Sequence, residues 1–100
     1  MYRLTVEYDA PADPAAFETR YTDEHVPLVQ QIPGLGRFTL SHPKGGDGTP
    51  YLVAELWWDD EAAFKASAAT PEMAATREHA QGCGATFRTF LGEVDDQLLT

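Results

Sequence analysis

Tyr21, His25 and Pro27 stand together in the segment Tyr21-Thr22-Asp23-Glu24-His25-Val26-Pro27-Leu28. An imidazole is the side chain best suited to take up and release a proton near neutral pH. A phenol one helical turn away can donate to an oxyanion or orient a substrate oxygen. On a helical projection with Phe17 at zero, Tyr21 falls at about 40°, His25 about 80°, Leu28 about 20° and Ile32 about 60°. These five positions share one arc, so the segment predicts a helix from Pro14 to about Asp23 that aims His25 and Tyr21 inward. Pro27 disfavours helical geometry at Val26 and collides with the carbonyl of Asp23, so the helix is expected to break there. The freed carbonyls offer His25 Nδ1–H an acceptor, leaving Nε2 as a base that faces the sheet. The same spacing also suits a histidine that only packs, and a tyrosine that only fills the core with its tip hydrogen-bonded.

Other chemistry-bearing residues give weaker patterns. His42 is expected on the helix-facing side of its strand, where it joins His25 or marks a strand end beside Pro43. His79 follows Glu78 on a short helix and is expected at the surface. The chain has three histidines, but neither an HxH nor an HExxH spacing, and no carboxylate completes a metal shell, so no metal is expected. Cys83 lies between Gly82 and Gly84 with no obvious activating partner and reads as an incidental thiol. Gly45-Gly46-Asp47-Gly48 lacks the lysine of a phosphate-binding loop.

The elements that must position these residues follow from periodicity. Tyr2, Leu4, Val6 and Tyr8 alternate with Arg3, Thr5 and Glu7, which predicts a half-buried strand. Asp13 and Pro14 form a helix start. Arg37 to His42 reads as a second strand, Pro43 to Pro50 as turn chemistry, and the nearly continuous apolar run Tyr51 to Trp58 as an interior strand. A helix capped by Asp59 or Asp60 runs to about Ala69, and Thr70-Pro71 starts another that ends near Gln81-Gly82. Ala85 to Gly92 is the last strand.

The order β-α-β-β-α-β predicts an α+β, ferredoxin-like domain with an antiparallel sheet over residues 1–94, followed by a short acidic tail at 95–100. Right-handed crossovers place both helical segments on one face. The opposite face carries Arg3, Glu7, Arg37, Glu55 and Arg88 with Trp57 and Phe90. This mixture of paired charges and large aromatics predicts a homodimer joined face to face through the sheets, or else a solvated face with two stray aromatics. On the inner side, Phe64, Ser67, Ala68 and Pro71 present one large residue followed by small ones. That pattern allows either close packing or an apolar cleft.

Composition narrows the partners. A formal charge of −9 repels phosphate backbones and anionic lipid, which argues against nucleic acid and membrane surfaces. No apolar run approaches the ~20 residues of a membrane span. A single cysteine rules out an internal disulfide, and with a strand-like N-terminus it predicts a cytoplasmic protein.

Tyr21-x-x-x-His25-x-Pro27-Leu28 followed by Ile32-Pro33-Gly34-Leu35 resembles the signature of EthD-domain proteins, named after a component of ethyl tert-butyl ether degradation. The stretches Tyr51 to Phe64, Thr70-Pro71-Glu72 and Phe90 to Val94 are similar to that family's later segments. The resemblance implies a dimeric α+β barrel with a pocket between sheet and helices, reached by His25. Relatives in the wider superfamily include cofactor-independent monooxygenases, muconolactone isomerases, polyketide cyclases and haem-binding enzymes. The expected function is proton-transfer chemistry without a cofactor on a small organic, aromatic or lactone-like, molecule. In that reading His25 is the acid or base, Tyr21 the orienting group, and Phe38, His42, Trp58, Phe64 and Phe87 line the cleft. The alternatives are a non-catalytic binding or accessory protein for an oxygenase system, and haem binding with His25 as axial ligand.

Overall fold

The computed structural model describes residues 1–99. Its strands are β1 (Tyr2–Tyr8), β2 (Arg37–Ser41), β3 (Leu52–Trp58) and β4 (Phe87–Glu93). They form one antiparallel sheet in the order β2-β3-β1-β4, with the first and third strands at its centre. The helices are α1 (Pro14–Arg20), α2 (Val26–Gln30), α3 (Glu61–Ala68) and α4 (Pro71–Gln81). The fold is the ferredoxin-like α+β arrangement that the element order predicts.

Alternation sets the two faces. Along β3, Leu52, Ala54, Leu56 and Trp58 are buried, whereas Val53, Glu55 and Trp57 are half-exposed. Trp58, wholly buried, packs edge-on against Phe64, with ring centroids 4.9 Å apart. A second aromatic cluster centres on Tyr8, whose ring meets those of Phe17, Tyr21 and Phe87 at 5.4–5.6 Å. On the other face the register sets Arg3 opposite Trp57, Thr5 opposite Glu55 and Glu7 opposite Arg88. The charges there are paired within the chain: Arg3 with Glu55 at 3.2 Å and Arg88 with Glu7 at 2.8 Å. Arg3 and Arg37 both lie over the Trp57 ring, and Phe90 is 53% exposed.

The first helical segment departs from expectation in a way that matters for the site. It does not break near Asp23. Tyr21–His25 form a π-helical turn in which the Val26 N–H donates to the Tyr21 carbonyl, and α2 continues through Pro27 to Gln30. Proline supplies no N–H, and its ring needs room beside the preceding turn. A π turn inserts an extra residue and already interrupts the regular ladder there, so the helix absorbs the proline without ending.

The same turn corrects the inward stripe. The buried residues are Phe17, Tyr21, His25 and Val29, not Leu28. Steps of four residues drift by about 40° each on an α-helix, ~120° over three steps, too far for one narrow face. The extra residue of the π turn takes back most of that drift. Each of the four side chains therefore stays on the core.

Candidate functional site

α1, α2, α3 and α4 do not cover the whole inner face of the sheet. Beside β4 they leave a cleft of about 320 Å³, lined by sheet residues such as Leu4, Leu56 and Phe87 and by Tyr21, His25 and Phe64 from the helical layer. Its α4 wall is Met73, Thr76, Arg77, Ala80 and Gln81. Sequence reasoning missed this wall, although the spacing Met73, Thr76, Arg77, Ala80 is a helical stripe that could have marked it. Thr89 and Leu91 of β4 also line the cleft while staying exposed, so it opens along that edge.

His25 is 3% exposed. Its ring lies 4.7 Å from that of Tyr21 and 5.1 Å from that of His79. Burial, reinforced by the neighbouring His79, lowers its pKa to about 4, so the ring is neutral at physiological pH. The expected hydrogen bond to a freed helix carbonyl is replaced by a different one: His25 Nδ1 meets His79 Nδ1 at 2.9 Å. The carbonyls are not free, because the helix continues.

That contact links three side chains. His79 Nε2 faces Glu24 Oε1 at 3.4 Å. A carboxylate only accepts, so His79 carries its proton on Nε2 and presents Nδ1 as an acceptor. His25 Nδ1–H then donates to it, which leaves the Nε2 lone pair of His25 free. Glu24 is 61% exposed, so the pair adds little stability but sets the tautomers.

His79, expected at the surface, is in fact largely buried, with a side chain 19% exposed. The end of α4 packs against the π turn, and the turn after Gln81 brings Cys83 back beside His79. Cys83 also differs from expectation. It is 1% exposed, with Sγ 3.3 Å from His79 Nδ1 and 3.9 Å from His25 Nδ1. Burial raises its pKa, with Arg20 opposing and Glu24 adding to that rise. Arg20 Nη1 donates to the Gly82 carbonyl at 2.7 Å and ties the end of α4 to α1. His25, His79 and Cys83 bring three donor atoms within 4.8 Å of one another, a grouping that the spacing motifs did not cover. They are far apart in sequence, so spacing motifs could not reveal them.

Tyr21 is 2% exposed, and its hydroxyl is buried without a hydrogen bond of standard geometry. The Tyr8 hydroxyl is its polar neighbour, and burial holds the pKa of both phenols well above the usual range. Tyr21 therefore stays a neutral O–H, directed at the Tyr8 hydroxyl.

The remaining expected lining residues divide. Phe64 and Phe87 border the cleft. Trp58 lies behind it in the core, and Phe38 packs against the core from β2, away from the cleft. His42 lies just beyond β2, exposed, where its Nδ1–H donates to the Tyr51 carbonyl at 3.2 Å and does not approach His25. β2 ends at Ser41, so the alternation that put His42 on the inner face no longer applies.

The EthD domain matches residues 9–82. An uncharacterised 11.0 kDa protein from the thcB-thcC intergenic region of Rhodococcus erythropolis is 45% identical over 75 residues, 72% of this chain and 73% of that protein. An EthD family protein from Bacillus halodurans superposes with a TM-score of 0.82 at 29% identity, over 95% of this chain and 99% of the other. SnoaB, a cofactor-independent oxygenase from Streptomyces nogalater, shares the fold at TM-score 0.69 and 23% identity, over 97% and 95% of the two chains. On the domain match, the close relative and the superposition together, the chain belongs to the EthD-domain family.

Proposed function

We propose that this protein binds a small, largely apolar organic molecule in the cleft between sheet and helices, and that His25 accepts a proton from it through Nε2. The reading rests on one observation above the rest: a buried, uncharged imidazole on the wall of an apolar cleft, with its Nδ1–H engaged by His79. A neutral ring with a free lone pair is in the form a general base needs, a role typically worth ~10²–10⁴ in rate. The low pKa that keeps it neutral also makes it a weak base. It therefore needs a strongly activated proton, as on an electron-poor phenol or on carbon flanked by carbonyl groups, with Tyr21 O–H as the donor to the oxygen on which charge develops.

No cofactor is required for that step, and the relationship to a cofactor-independent oxygenase fold agrees with it. The proposed assembly is a homodimer through the open sheet face that bears Arg3, Glu7, Arg37, Glu55, Trp57, Arg88 and Phe90. Aromatic carbonyl compounds, phenols and lactones are the classes to screen by ligand-observed NMR, followed by turnover assays with and without oxygen. His25→Gln is expected to bind the best ligand within a few-fold of wild type and to lose its turnover at least 100-fold. Wild-type affinity without any turnover, unaltered in His25→Gln, would instead assign the protein a carrier or accessory role.

A further inference from the structure

The grouping of His25, His79 and Cys83 is a further feature of the chain, and it does not depend on the proposed role in proton transfer. We propose that His25 Nδ1, His79 Nδ1 and Cys83 Sγ form a binding site for a divalent cation of the zinc class. Tetrahedral coordination at ~2.0–2.1 Å to nitrogen and ~2.3 Å to sulfur sets ligand atoms ~3.3–3.6 Å apart. The three atoms here lie 2.9, 3.3 and 3.9 Å from one another, so shifts of about half an ångström complete the triangle. Two imidazoles and one thiol are a borderline-soft donor set that selects zinc over magnesium or calcium.

The surroundings support the assignment. A histidine that ligates a metal commonly donates its other N–H to a carboxylate, which orients the ring. His79 has that arrangement: Nδ1 faces the cluster and Nε2 faces Glu24. His79 also borders a shallow surface depression shared with Glu24 and Glu78, a route from solvent edged by two carboxylates. Arg20 at the same depression is engaged by the Gly82 carbonyl. The protein supplies three ligands, and the fourth position is left for water or another small ligand. The thiol loses its proton to solvent when the cation binds.

Loading changes what the cleft sees. An imidazole bound through Nδ1 keeps its proton on Nε2, so His25 presents an acceptor to the cleft in the cation-free chain and a donor in the loaded one. Cation binding and base action at this ring exclude each other.

Cobalt(II) titration of the full-length, tag-free protein tests the site by spectroscopy and needs no substrate. One cobalt per chain is expected, with tetrahedral d–d bands and a thiolate-to-cobalt charge-transfer band that zinc abolishes by displacement. Cys83 is the chain's single cysteine, so in the wild type that band reports on it alone. Competition with a chromophoric chelator should show zinc affinity reduced at least tenfold in His79→Ala and about tenfold in Glu24→Ala, and unaltered in His42→Ala. Absence of the charge-transfer band in folded wild-type protein overturns the proposal. So does a stoichiometry of one cobalt per two chains, or zinc binding that survives intact in His79→Ala.

Discussion

At the scale of single residues, His25 and Tyr21 show how burial sets chemistry. His25 binds a proton less readily in the fold than in the unfolded chain, because burial and His79 disfavour the charged ring. Between its ordinary pKa near 6.5 and its folded value of about 4, the unfolded chain holds more protons. Stability therefore rises with pH across that window and is lost as pH falls through it. In chelator-treated protein, urea unfolding should show a decline of at most ~3 kcal/mol from pH 7 to pH 4 attributable to this ring. His25→Phe should flatten that part of the profile. Tyr21 makes a different point. Its hydroxyl has no partner of good geometry, so Tyr21→Phe should leave stability within ~1 kcal/mol of wild type or raise it. A matching loss of ligand affinity or turnover would place the hydroxyl on the ligand.

At the scale of elements, the site depends on the two irregular ends that meet beside the cleft. The π turn keeps Tyr21 and His25 on the core face, and the end of α4 brings His79 and Cys83 to them. α4 starts at Thr70, whose Oγ1 accepts from the Met73 N–H at 3.2 Å and donates to the Ser67 carbonyl at 2.7 Å. The one hydroxyl thus joins the end of α3 to the beginning of α4. Thr70→Ala should cost ~1–2 kcal/mol in denaturant unfolding, and Thr70→Ser should recover most of it. The Arg20 bond to the Gly82 carbonyl fastens the other end of α4.

At the scale of the whole molecule, the sheet has two unlike sides. The inner side is a core with an opening at β4. The outer side is a lattice of paired charges and stacked arginines around Trp57, with Phe90 exposed. The Trp57 ring is covered by Arg3 and Arg37 of the same chain, and its indole N–H is buried without an acceptor. Sedimentation equilibrium at micromolar concentration should give the mass of two chains. Trp57→Lys adds a cation beside Arg3 and Arg37 and should weaken the dimer at least tenfold. Among the described residues no helix is long and apolar enough to cross a membrane.

The ferredoxin-like order, the two faces of the sheet and the inward placement of Tyr21 and His25 were all legible in the sequence. Each depends on local periodicity, on turn residues or on a family signature carried by consecutive residues. Phe64 and Phe87, expected at the cleft, border it. Sequence reasoning misjudged Leu28, because a π turn changes the helical period at a point that the proline marks but does not describe. It misplaced His42, because alternation holds only while the strand lasts. His79 and Cys83 escaped it for a deeper reason. Their meeting with His25 joins positions 54 and 58 residues apart, and only packing of α4 on the π turn decides that. Local rules made His25 an inward-facing proton-transfer residue, while the tertiary fold chose its partners, its tautomer and the donor atoms at its Nδ1.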